Sequence, residues 1–330
     1  MEVSSIENLP PPPGIISSIK AGFDAIAARI TAILLPLLLN LLLWLGPRLR
    51  MDEMFKSMEG DLVLFWQASR IPAEEIRKML DLYEGMAQSI NLLGLIRTLP
   101  IGISSLFVTN QNTAVTPLGG PVTWQVDVLT FPLWMMILVF IGWIGGALYF
   151  RDVAWAALAE KINTTRLFRA ILQTILISIC CNMILMAISI PILLILIVAS
   201  QISALLANLI VLFIALGSVW IIVPMFFWAH GVFLNRQNVL TSMMSSLQLT
   251  RFTLPTSSLF VLAVFLLSYG LAYLWRIPAP DSWMTLVGIF GHSFVTTALL
   301  AGSFIYYHDM NTWVQAVLEK LRPNNTVKQA

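Results

Sequence analysis

The chain has 330 residues, of which 58% are hydrophobic and 11% are Asp, Glu, Lys or Arg, and its mean hydropathy is +0.83. An ordinary soluble domain is roughly 45–50% apolar and about 25% charged, so the polar residues needed to coat a water-facing surface are missing and a soluble fold is excluded. The net charge of +2 offers no extended basic face for nucleic acid. Cys180 and Cys181 are neighbours inside an apolar run, which gives no disulfide framework.

The order of the segments predicts an all-α membrane protein: a six-transmembrane-helix bundle with cytoplasmic amphipathic elbow helices and a helical extracytoplasmic insertion. Residues 1–14, with Pro10 to Pro13, read as a flexible N-terminus. They lack the charged, short apolar and small-residue regions of a removable signal peptide, so the first span is expected to direct insertion. Residues 15–45 hold an elbow helix and that span, which begins near Ala21 and contains Pro36 and Asn40. Ile15, Ile16, Ile19, Phe23, Ile26, Ala27 and Ile30 make the elbow's apolar face.

Residues 46–127 carry seven positive and nine negative side chains and are predicted to be the insertion. Residues 51–66 read as a helix, and a second helix follows Ile71. There Pro72 suits a first helical position, and Glu74 and Glu75 favour the positive end of the helix dipole. Ile76, Met79, Leu80, Tyr83, Met86, Ala87 and Ile90 recur at helical spacing. Ile76, Tyr83 and Ile90 are the candidate partner surface, to be covered by the other helix, the bilayer or another membrane subunit. Residues 92–108 are apolar but interrupted by Arg97 and Pro100, which leaves re-entrant and interfacial placements open.

Spans two to six, within residues 128–307, are predicted at about 128–150, 167–199, 202–229, 255–275 and 283–307, with aromatic residues near many ends. Residues 308–330 form a tail. Six spans with both termini inside put eleven positive residues on the cytoplasmic side, including Lys20, Arg29, Arg151, Lys161, Arg166, Arg169, Arg236 and Arg251. Arg276 alone lies in the short outer loops. A seventh span at 92–108 would reverse that bias, so the charge rule favours six. Further amphipathic segments precede the third and fifth spans, around Trp155, Leu158 and Ile162, and at Val239, Leu240, Met243, Met244 and Leu247 with Ser242, Ser245 and Gln248 opposite. Arg29, Arg166 and Arg251 follow the three elbows. The pattern reads as three copies of an elbow followed by a transmembrane hairpin.

The zincin, nucleophile-elbow and phosphate-loop motifs are absent from the sequence. No catalytic, cofactor-binding or metal-ligating residue is assigned and no cofactor is expected. Asn40, Asn182, Asn208, His292 and Thr296 form a candidate polar intramembrane cluster, for which interhelical hydrogen bonding is favoured over a ligand cavity. Gly142 and Gly146, and Ala298 and Gly302, are small-residue pairs that suit close packing within the bundle.

GVFLNRQNVLTSMMSSLQLTRFTLPTSSLFVLAVFLL, from Gly231 to Leu267, and GIISSIKAGFDAIAARITAILLPLLLNLLLWLGPRL, from Gly14 to Leu49, resemble uncharacterised bacterial six-span integral membrane proteins of the glycerophosphodiester phosphodiesterase membrane-domain type. The resemblance covers about a third of the chain and includes no catalytic residue. It implies an architecture in a prokaryotic inner membrane and no activity. The reading that follows is a non-enzymatic scaffold, assembly factor or accessory subunit, with the bilayer and other membrane subunits as partners. The second reading is a permease-like transporter component, because the loop ending in Leu254-Pro255 resembles the coupling loop of ABC permeases, although its Glu-Ala-Ala is missing. A lipid-modifying enzyme comes third, because no span has a carboxylate in its interior.

Overall fold

The structure is a computed structural model that describes residues 11–107, 115–158 and 165–321. It is 80% helical. Nine α-helices occur among the described residues: α1 (Ile15–Ala28), α2 (Leu34–Leu45), α3 (Asp52–Ala68), α4 (Ala73–Ser89), α5 (Phe131–Leu158), α6 (Leu167–Ile202), α7 (Ala204–Asn235), α8 (Val239–Trp275) and α9 (Thr285–Leu321). Helices α5 to α9 are each long and apolar enough to cross a bilayer. The pair α1 and Ile30–Leu45 meets the same test together but is bent by 98°. This is an all-α chain with the apolar helices of an integral membrane protein.

The chain divides into two compact units. The first comprises Met1–Ala32, Phe150–Ser268 and Thr297–Ala330. In it α6 and α7 form a hairpin joined at Ser203, whose extended backbone (φ −165°, ψ 135°) ends α6 and whose Oγ accepts from Leu205 N. Aromatic side chains fill its interior. Phe260 and Tyr306 stack at 4.0 Å, Phe227 lies against Tyr306 and Tyr307, and Phe150 contacts Phe233 and Phe304. Helix α1 crosses α9 at Gly22, where an added Cβ would strike the backbone of Ala298 and Gly302. The small-residue pair of the last span is therefore the seat of α1.

Arg29 sits at the bend that ends α1. Its guanidinium donates to Ala156 O (2.7 Å) and Trp155 O (3.3 Å) and lies 4.7 Å from the Trp155 ring. The cation thus meets the last, partnerless carbonyls of α5, where the helix dipole favours positive charge. Trp155 and Leu158, expected in a separate elbow, are the end of α5 itself, and Lys161 and Ile162 lie outside the described residues. The segments expected as third elbow and fifth span are one helix, α8, with a break at Thr253 (φ −124°, ψ 16°). Pro255 causes it, because its ring displaces the preceding turn and it brings no N–H. The polar side of α8 before the break points inward: Ser242 and Ser246 are buried, and Ser242 donates to Trp228 O, while Leu240, Met244 and Leu247 face outward.

The second unit comprises Ile33–Tyr149 and Tyr269–Thr296. It contains a small departure from an all-helical insertion. Arg48–Arg50 and Thr123–Gln125 pair as parallel strands β1 and β2, with Leu49 opposite Trp124. The pairing clasps the two ends of the insertion together. Between them α3 and α4 form a helical hairpin. Phe55 and Tyr83 pack at 4.6 Å, and the Tyr83 hydroxyl donates to Phe55 O (3.1 Å). A 3-10 turn at Leu92–Ile96 follows, started by Asn91, whose Oδ1 accepts from both Leu49 N and Leu93 N. The chain then runs irregularly to Phe107 through a cis Leu99–Pro100 bond.

Candidate functional site

The irregular stretch after Ile96 buries several of its apolar side chains. Ile101, Ile103 and Leu106 are each 6% exposed or less. Irregular backbone inside apolar surroundings must find partners for its polar groups, and these partners define the site.

Asn40 of α2 is the centre. Its Oδ1 accepts from Leu106 N (2.7 Å) and from Ser105 Oγ (3.0 Å), and its Nδ2 donates to Pro36 O (2.7 Å) and Ser293 Oγ (3.5 Å). Two lone pairs and two N–H groups exhaust what an amide offers. Arg276 Nε donates to Leu106 O (2.9 Å), so both polar groups of that peptide are held by side chains. His292 Nε2 pairs with Ser104 Oγ (3.2 Å). Arg97 and Arg276 are both close enough to His292 to act on it electrostatically, and both are positive. Trp44, Leu106 and Ile289 close the apolar side.

Helix α5 supplies the floor. A Cβ on Gly142 would meet Ile96 O at 2.6 Å, and one on Gly146 would meet Ile101 O at 2.7 Å. The G-x-x-x-G spacing therefore receives an irregular backbone, where the sequence suggested close packing between helices. The inserted stretch is held on three sides by α2, α5 and α9.

The five residues of the expected polar cluster are divided. Asn40 and His292 lie in this unit and grip neighbouring residues of one segment. Thr296 lies one turn beyond His292 and spends its hydroxyl on His292 O (2.8 Å). Asn182 and Asn208 belong to the first unit, on exposed faces of α6 and α7, and Asn182 donates to Ser178 O of its own helix. On the hairpin, Ile76 is buried, Tyr83 is half-buried against Phe55, and Ile90 is half-buried just after α4.

Ser104, Ser105 and Arg276 escaped the sequence reading. Their signal was faint: a serine pair beside Gly102 in an otherwise apolar stretch, and a single arginine in a short outer loop. His230 and Ser303 form another pair not anticipated, with Nε2 and Oγ 2.7 Å apart. The distance would suit a base and a nucleophile, but both residues are buried to 1% exposure or less, and a substrate cannot reach them. The bond ties α7 to α9. Among the described residues, no group of three His, Cys, Asp or Glu side chains is placed to hold a metal.

No protein-family model matches the chain, and neither a curated protein nor a solved structure is significantly similar to it. The resemblance noted above rests on the quoted segments alone.

Proposed function

We propose that the protein is a six-span, non-enzymatic scaffold or accessory subunit of a prokaryotic inner membrane, with both termini in the cytoplasm and the α3–α4 hairpin outside as its contact surface. The observation that carries the reading is the set of large apolar side chains that the hairpin leaves exposed. The two helices already bury Ile76 and pack Tyr83 on Phe55, yet Leu64, Phe65 and Leu82 remain 64%, 66% and 70% exposed, with Met58 and Met86 beside them in exposure. Large apolar side chains on an otherwise charged, water-facing module are the signature of a surface that another protein covers. The eleven-to-one charge bias supports the orientation. The 98° bend after α1 and the break at Thr253 support elbows that lie in the headgroup layer.

The experiment is stoichiometric co-purification combined with a photo-crosslinking residue at Phe65 or Leu82. A discrete protein adduct is expected, together with loss of the bound subunit in Leu82→Asp and its retention in Glu84→Gln. Crosslinks to lipid alone would show that the face rests on the bilayer and would overturn the subunit reading.

One observation favours the permease-like alternative. Irregular backbone held between apolar helices by polar side chains is how many transporters build substrate sites. If that is the role, Ser104→Ala and His292→Ala would abolish solute uptake while the protein stays folded.

A further inference from the structure

The first unit contains a cationic cavity. Helix α6 leaves its N-cap at Arg166 and α7 returns to end at Asn235, so the hairpin brings Arg166, Arg169 and Arg236 to one end. Together with Thr165 and Phe168 they line a cavity of about 530 Å³. That is the size of an ordinary small-molecule site and far more than a bare phosphate fills. Among the described residues that line it, none is acidic. Arg169 is positioned by a bond from its Nη2 to Asn238 Oδ1 (2.8 Å), and Arg236 is fixed in the left-handed region (φ 52°) as the C-cap of α7.

Two further features set the depth and direction of the site. An apolar row leaves the cavity along α6: Phe168, Leu172, Leu176 and Ile179, spaced by one helical turn and all exposed. Leu240, Met244 and Leu247, just after Arg236, face outward from the elbow part of α8, as a helix lying at the level of lipid headgroups would require. Helix α6 has 36 residues, roughly 54 Å at 1.5 Å per residue, longer than a hydrocarbon core of about 30 Å. Its end therefore reaches the headgroup zone. A cluster of guanidiniums at that level, with an acyl-sized apolar track leading from it, matches an anionic phospholipid: phosphate oxygens take paired N–H donors from arginine, and the chains follow the α6 row.

We propose that Arg166, Arg169 and Arg236 form a binding site for the phosphate of an anionic phospholipid, with Phe168 at the start of the acyl track.

The test uses the full-length protein in mixed micelles holding equal phosphatidylglycerol and phosphatidylcholine, with the retained lipid measured by native mass spectrometry. Phosphatidylglycerol should be retained about tenfold over phosphatidylcholine, and Arg166→Gln/Arg169→Gln/Arg236→Asn should bring the ratio close to one. Lys20→Gln/Arg251→Gln, which removes two exposed charges elsewhere, should leave the ratio unchanged. Inorganic phosphate at about 10 mM should not displace the lipid, because it cannot use the apolar track. Loss of the preference in phosphate would mean a site for the free ion and would overturn the lipid assignment. A wild-type ratio near one, or a triple variant that keeps the preference, would overturn the site. Should the triple variant not fold, Arg236→Asn alone decides, since asparagine tolerates the left-handed backbone there: a severalfold drop supports the site, and an unchanged ratio overturns it.

Discussion

Asn40 and His292 look alike in the sequence, as isolated polar side chains deep in apolar helices, but the structure ranks them. Asn40 uses all of its hydrogen-bonding capacity, its Oδ1 on the inserted segment and its Nδ2 on Pro36 and Ser293, whereas His292 Nε2 pairs with a single hydroxyl at 3.2 Å. Replacing Asn40 by leucine leaves the buried Leu106 N–H and Ser105 hydroxyl without their acceptor, which should cost about 1–3 kcal/mol. His292→Leu should cost less, about 0.5–2 kcal/mol, and His292→Gln should be tolerated because a polar group can still meet Ser104. Thermal unfolding of the three variants in one detergent checks the order, and a His292→Leu loss exceeding that of Asn40→Leu would refute the ranking. The importance of Asn40 was legible only in part. Hydropathy marks it as costly, but its partners Ser105 and Leu106 are more than sixty residues away, and one sequence carries no information about that pairing.

Local signals located most elements, because they act within a turn or two. Pro255 marked the break in α8 within two residues, Pro72 preceded α4, and the start of α6 at Leu167 was placed where it is. The helix ends were less legible. Helices α7 and α9 run on past the expected 229 and 307 to Asn235 and Leu321, since apolarity stops at the bilayer edge while a helix need not. The parallel pairing of β1 with β2 has no local signal at all. The elements also separate two uses of glycine. Gly146→Leu would drive a side chain into the Ile101 carbonyl, an overpacking that should cost about 1–3 kcal/mol and release the inserted stretch. Gly217 of α7 has nothing within 4 Å of an added Cβ, so Gly217→Ala should be neutral or stabilising by up to about 1 kcal/mol. Maleimide labelling at Ile101→Cys should rise in the first background and stay low in the second. On the hairpin, Tyr83→Asp removes a ring packed at 4.6 Å on Phe55 and puts a charge in its place, so α3 and α4 should separate. Faster proteolysis within residues 52–89 reports it, and unchanged cleavage would show that the contact is dispensable.

For the whole molecule, the charge distribution makes the orientation testable. Cysteines at Gln201 and Thr113, the latter outside the described residues, should be labelled from the outer side, and one at Asn325, also outside them, only from the cytoplasm. Labelling of Thr113→Cys solely from the cytoplasm would overturn the six-span topology. The grip on residues 97–107 adds a dimension of time. A ribosome makes this segment well before most of its holders. Asn40 already exists when Leu106 emerges, but Gly142 and Gly146 come some forty residues later, and Arg276 and His292 follow Leu106 by 170 residues or more. The segment must wait half-held until α9 locks it. In a chain truncated after residue 268, Ile103→Cys should therefore be labelled by thiol reagents that cannot reach it in the 330-residue chain.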